Sequence, residues 1–126
     1  MFIQPSAFCH IASQYLVDNY TQADQQICDR VYKAHFKLCP LGTAKLWFKL
    51  SECNALAEFT PPGSDVKIPF STCQPVHLLW TLHYMKNYVS EDVCALLFRV
   101  SNKTHRKYFW AIVHFLNLLA TETVSK

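Results

Sequence analysis

The residues with the clearest chemistry in this 126-residue chain are cations, and they stand together. The run is Arg99, Val100, Ser101, Asn102, Lys103, Thr104, His105, Arg106, Lys107. It holds four Lys or Arg and no acid, against eight basic and nine acidic residues elsewhere. The positive potential is therefore local, although the whole chain carries only +3. With Cys94–Phe98 ahead of it, the segment reads as the two arms and the corner of a helix-turn-helix. Lys103, Arg106 and Lys107 then fall in the first two turns of the second arm. Unpaired backbone N–H groups already make that end positive, so each cation costs a few tenths to about 1 kcal/mol there. His105 adds to the cost when protonated. A phosphate backbone at this end would reverse the sign of every one of these terms.

A helix-turn-helix places its second helix in the major groove, with the first turns near base edges. Asn102, Lys103, His105 and Arg106 are the candidate readers, because Arg or Lys suits guanine and Asn suits adenine. Arg99, Lys107 and Lys86 are the candidate phosphate contacts. Ala95 is the small residue expected to face the second helix. Arg99, Val100 and Ser101 take the places of the turn residue, the apolar plug and the N-cap, and Thr104 has the spacing of a packing contact. Glycine is commoner where Arg99 stands, because that turn often needs φ > 0. The competing reading is a solvated basic face on an ordinary helical hairpin.

Other chemistries are less well supplied. The pairs Cys73/His77, His35/Cys39 and Cys9/His10 contain zinc-ligand types, but there is no tight Cys pair to start a finger. No cysteine stands in a recognisable nucleophile context. Asp24 and Asp29 read as a solvated face, and Glu91 and Asp92 as helix-start charges. Gly42 and Gly63 stand alone, so no phosphate-binding glycine loop exists. Trp47, Trp80 and Trp110 read as core. These observations favour a non-enzyme without metal or cofactor. Six irregularly spaced cysteines, and a start at Met1–Gln14 with no basic segment and no long apolar run, read as reduced thiols in an intracellular protein. No stretch reaches the ~20 apolar residues of a membrane span.

The elements that must carry the cations are helices. Apolar spacing predicts one helix over about 7–17, with Phe8, Ile11, Ala12, Tyr15 and Leu16 inward. A second is expected from a Thr21 cap, with Ile27, Cys28, Val31 and Ala34 in its stripe and Pro40 and Gly42 ending it. A third spans about Thr43–Asn54, with Leu46, Trp47, Leu50 and Cys53 facing one way. Residues 60–75 read as a Pro-rich linker between an N-terminal helical part, 1–59, and a helix-turn-helix-like part, 76–126. The second part has three helices. His77–Tyr88 buries Leu78, Leu79, Trp80, Leu82 and Met85. The next is capped by Ser90 and turns Val93, Ala95, Leu96 and Leu97 inward. The last is capped by Ser101 and runs from Asn102 to Glu122, with Phe109, Ile112, Val113, Leu116 and Leu119 on its inner stripe. Tyr108, Trp110, Phe115 and Leu118 leave that helix apolar on its outer side too. The class is all-α, with five to six helices.

The stretches His77-Leu78-Leu79-Trp80-Thr81-Leu82, Met85-Lys86-Asn87-Tyr88-Val89-Ser90-Glu91 and Val100-Ser101-Asn102-Lys103-Thr104-His105-Arg106-Lys107-Tyr108-Phe109-Trp110 carry a resemblance. So, more loosely, do His35-Phe36 and Leu46-Trp47. Together they resemble the region ahead of the catalytic domain in eukaryotic DDE-superfamily transposases of the Harbinger-like kind, over roughly residues 30–120. The resemblance implies a helical domain that binds duplex DNA at transposon ends, and a nuclear location. It also implies partnership with a separate catalytic chain or a second copy. In that family an RNase-H-like domain with three metal-holding acids follows. None of this chain's nine acids matches those positions, and Lys126 falls about where that domain would begin, so the resemblance reaches the DNA-binding part only. The expected function is therefore duplex DNA recognition through the helix starting at Asn102, without nuclease activity, by a domesticated or truncated mobile-element protein. The alternative is a protein-interaction or oligomerisation module built on the apolar last helix.

Overall fold

The computed structural model describes residues 3–20, 29–87 and 90–125. Six helices follow in order: α1 Pro5–Tyr20, α2 Asp29–Phe36, α3 Pro40–Cys53, α4 Pro75–Asn87, α5 Glu91–Leu97 and α6 Asn102–Ser125. Between α3 and α4 lie two two-residue strands, β1 Glu58–Phe59 and β2 Ile68–Pro69, then a 3₁₀ turn at Phe70–Thr72. The fold is all-α. The expected Thr21 cap and the Ile27 and Cys28 positions lie outside the described residues.

Local chemistry explains most boundaries. Pro40 begins α3 rather than ending the helix before it. It sits at the first helical position, where its missing N–H costs nothing, and the Cys39 thiol caps by accepting from Gly42 N at 3.4 Å. The helix therefore starts three residues ahead of the expected Thr43. Ser90 caps α5 by accepting from Val93 N at 3.2 Å, with Glu91 and Asp92 in the favoured first turn. Ser101 does the same for α6, accepting from Thr104 N at 3.2 Å. The Pro61-Pro62-Gly63-Ser64 sequence makes a turn closed by Ser64 N donating to Pro61 O at 3.1 Å. Gly63 has φ +77°, the third-position conformation that a type II turn demands.

The expected linker is part of the core. β1 and β2 pair antiparallel, Glu58 with Pro69 and Phe59 with Ile68. That folds Ile68, Phe70 and Cys73 into the same buried cluster as α1, α3, α4 and α6. Phe70 packs on Trp47 of α3 at 5.2 Å and edge-on to Phe115 of α6 at 5.3 Å. The described parts of the N-terminal segment, α1 to α3, and of the C-terminal segment, α4 to α6, thus share one interior instead of packing separately.

α4 lies at the centre. Its residues from His77 to His83 are all buried, so no face of that stretch meets water. Polar atoms tie neighbouring helices together. Asn54 Nδ2 donates to Phe115 O at 3.2 Å, Tyr32 Oη donates to Thr43 Oγ1 at 3.0 Å, and Asn87 Nδ2 donates to His35 O at 3.0 Å.

Several inward assignments change. Met85, Val93 and Leu96 are exposed, at 50%, 51% and 77%, and Ala34 also faces out. Among the described side chains of α2, Tyr32 and Phe36, one turn apart, are buried, and that of Val31 lies outside the description. Phe115, expected on the outer side of α6, is fully buried; Trp110 and Leu118 face outward, so Trp110 departs from the core reading that Trp47 and Trp80 keep. Phe115→Ala is expected to cost about 3–5 kcal/mol in urea denaturation, the range for a buried Phe. Leu96→Ala should cost under about 0.5 kcal/mol. Similar losses for the two would contradict this packing.

Burial also holds His77 and His83 down at about 4, and keeps His35 and His105 below the ordinary imidazole value. The fold contains the neutral forms. From about pH 6.5 down to about 4 the unfolded chain takes up protons that the folded chain refuses, so stability falls across that window. Urea midpoints should decline as pH is lowered from 7.5 to 4. His83→Gln, which cannot titrate, should flatten the decline; an unchanged slope would show that His83 is not one of its sources.

Candidate functional site

The corner between α5 and α6 has a local cause. α5 ends at Leu97 and α6 begins at Asn102. Between them Val100 N donates to Ala95 O at 3.0 Å and Arg99 N donates to Leu96 O at 3.2 Å. This crossed pair is a Schellman stop, which needs a left-handed residue between the last helical turn and the apolar plug. Arg99 is that residue, with φ +59°. A side chain in this conformation costs roughly 1–2 kcal/mol where glycine would not. The Arg99 guanidinium stands 5.7 Å above the Tyr15 ring of α1, a contact that offsets part of the cost. Val100 packs against the core as the plug, and Ala95 is buried.

The expected readers separate. His105 does not face outward. It is fully buried, its Nε2 lies 3.1 Å from Cys94 Sγ, and its ring stacks with those of Trp80 and Phe109. A helix position three residues past Asn102 points into the bundle here, so His105 cannot touch a base edge. The Cys94–His105 pair resembles a nucleophile and its base only in composition. Burial pushes the Cys94 thiol up to about 12 and the His105 imidazole down, so both stay neutral. Thr104 is exposed, its hydroxyl accepting from Ser101 Oγ at 3.0 Å, and does not pack across the corner. Arg99 belongs to the corner and to Tyr15.

Asn102, Lys103, Arg106 and Lys107 do come together. They line one wall of an open groove of about 970 Å³, with Trp110 one turn further along α6. The opposite wall is the Phe59–Ile68 hairpin, contributing Phe59, Pro61, Pro62 and Val66. Two of the four polar residues are already engaged by α5. Arg106 forms a 2.8 Å ion pair with Glu91, which also keeps its guanidinium firmly charged, and Asn102 donates to Asp92. The α5 acids thus answer part of the charge that opposes the α6 dipole. Lys103 and Lys107 are exposed, and neither forms an ion pair among the described residues. Lys107 lies 5.2 Å from the centre of the Tyr108 ring.

The hairpin wall could not be found from the cation pattern, because residues 60–75 read as a connector. Trp110 was detectable, since 103, 107 and 110 share one helical stripe. Among the described residues no group of three or more His, Cys, Asp or Glu is placed to hold a metal, and no helix is long and apolar enough to cross a membrane. Comparison with family models, curated proteins and solved structures finds no match.

The corner makes a prediction of its own. Arg99→Gly should leave stability within about 1 kcal/mol of the parent, because relieved strain and the lost ring contact oppose each other. Arg99→Val places a β-branched residue at positive φ and should cost more than about 1 kcal/mol. Equal thermal midpoints for the two variants would mean that residue 99 does not hold a left-handed conformation.

Proposed function

We propose that this chain is a helical, transposase-derived domain that binds duplex DNA through the first turns of α6 and does not itself cut it. The observation that carries the reading is the exposed stripe of Lys103, Arg106 and Lys107 immediately after the left-handed corner at Arg99. Cations at a helix N-terminus oppose the dipole, and a phosphate backbone removes that conflict. The likeness of His77–Trp110 to the DNA-binding part of Harbinger-like transposases supports the same reading, together with a nuclear location and a catalytic chain or second copy as partner. Asn102, Lys103, Arg106 and Lys107, which share the groove, are the contact set; buried His105 drops out of it, and Arg99, exposed but outside the groove lining and over the Tyr15 ring, is not counted in it.

The pairing of Arg106 with Glu91 adds a condition. On binding, Arg106 either exchanges Glu91 for a phosphate or stays paired, and Lys103 and Lys107 supply most of the affinity. With two to three phosphates contacted, the slope of log K against log salt should lie near −2 to −3, from about 0.9 per contact. Lys103→Ala/Lys107→Ala should weaken binding of a blunt 20-base-pair duplex by at least tenfold at 0.1 M salt. Lys33→Ala/Lys37→Ala, on exposed positions at the end of α2, should leave it unchanged. Equal losses from both pairs would show non-specific attraction to the whole surface and would remove α6 as the interface.

The half-exposed Trp110 and exposed Leu118 favour a second reading, a protein-interaction surface on the outer side of α6. Sedimentation with Trp110→Glu separates the two. An oligomer dissociated by that change, with no DNA binding in the parent, would select the second.

A further inference from the structure

The groove beside α6 has two unlike walls. One carries Lys103 and Lys107, four residues and hence about 6 Å apart along the axis, followed on the same stripe by Trp110. The other is an apolar hairpin wall presenting Phe59, Pro62 and Val66. A duplex presents phosphates and sugars outward and keeps its base faces stacked inside, so the apolar wall offers it little. An unpaired strand presents both chemistries at once, an anionic backbone along one edge and flat base faces along the other. The Trp110 indole is 49% exposed at the groove, whereas Trp47 and Trp80 are buried, so this ring alone of the three is free to stack on a ligand. The hairpin that forms the second wall is held in place from below: Ile68 and Phe70 are buried in the core, and the Phe59 ring lies 5.1 Å from that of His114 on α6.

We propose that this groove holds a short single-stranded nucleic-acid segment, with phosphates on Lys103 and Lys107 and an unstacked base against Trp110. The proposal rests on reading the α6 cations as phosphate contacts, and extends it to unpaired strand. It gives the hairpin wall and the exposed indole a role that duplex binding leaves empty. Base–aromatic stacking of this kind is worth a factor of about 5 to 100 in affinity when the ring is removed.

The test uses the full chain with two probes, dT12 and a blunt 20-base-pair duplex. Addition of dT12 should quench tryptophan emission, and the quenchable fraction should vanish in Trp110→Ala. Trp110→Ala should weaken dT12 binding 5- to 100-fold and duplex binding less than threefold, while Trp110→Phe restores much of the dT12 affinity. Far-UV circular dichroism confirms that the variants stay folded. Lys103→Ala/Lys107→Ala should weaken both probes. An abasic twelve-mer binding as tightly as dT12, or dT12 binding that ignores Trp110, would overturn the proposal. A synthetic Asp-Phe repeat peptide that quenches Trp110 where dT12 does not would assign the groove to an acidic protein segment and overturn it equally. Duplex binding that depends on Lys103 and Lys107, without dT12 binding, would sink the single-strand proposal and leave the duplex reading standing. dT12 binding through Trp110 without duplex binding would do the reverse.

Discussion

Everything in this structure turns on the complete burial of the middle of α4. Seven consecutive residues from His77 to His83 are removed from water, so other elements must cover that helix on every side. α1 and α2 cover part of it and α5 and α6 the rest. Two of the seven are histidines, and burying an imidazole is tolerable only if it stays neutral and packs as a ring. His77 does so flat against Tyr108 at 3.9 Å, and His83 against His35 at 5.6 Å. Polar groups near its two ends act as ties: His77 Nδ1 accepts from Gln74 N at the start of α4, and Asn87 donates to the α2 carbonyl of His35 at its end.

That burial also sets which way α6 faces. Trp80 stacks with His105, and Tyr84 meets Phe109 edge-on at 4.8 Å. With residues 105, 109 and 112 turned toward the bundle interior, the helical period turns 103, 106, 107 and 110 outward. The cationic stripe is therefore the geometrical complement of an aromatic seam. The corner contributes the second constraint. A Schellman stop forces Arg99 left-handed, and with it the direction in which α6 leaves α5. Strain at that position is offset by contacts around it, as is common where a turn must place a following helix.

Charge at the interface is partly answered from within. Glu91 and Asp92 stabilise the start of α5 through its dipole, and the same two residues reach Arg106 and Asn102 at the start of α6. One pair of acids thus serves two helix ends. The cost of gathering cations at the α6 N-terminus is lower than the sequence suggests, and the unanswered charge narrows to Lys103 and Lys107. The groove they border owes its other wall to a hairpin whose turn is dictated by Pro62 and Gly63 and whose base is anchored by Ile68 and Phe70.

The sequence by itself determined what depends on neighbours along the chain. The all-α class follows from apolar periodicity, the starts of α5 and α6 from Ser90 and Ser101, and the bend near Val100 from its plug-and-cap order. The turn at Pro61–Ser64 follows from Pro and Gly in the places a tight turn requires. Only the tertiary structure decided what depends on elements distant in sequence. It buried His105 and Phe115, because α4 and the 3₁₀ turn occupy those faces of α6. It exposed Leu96 and Met85, because nothing packs over them among the described residues. It drew the apparent linker into the core and made it the second wall of a groove. Helical spacing says which residues share a face; which face is covered is settled by what the rest of the chain brings to it.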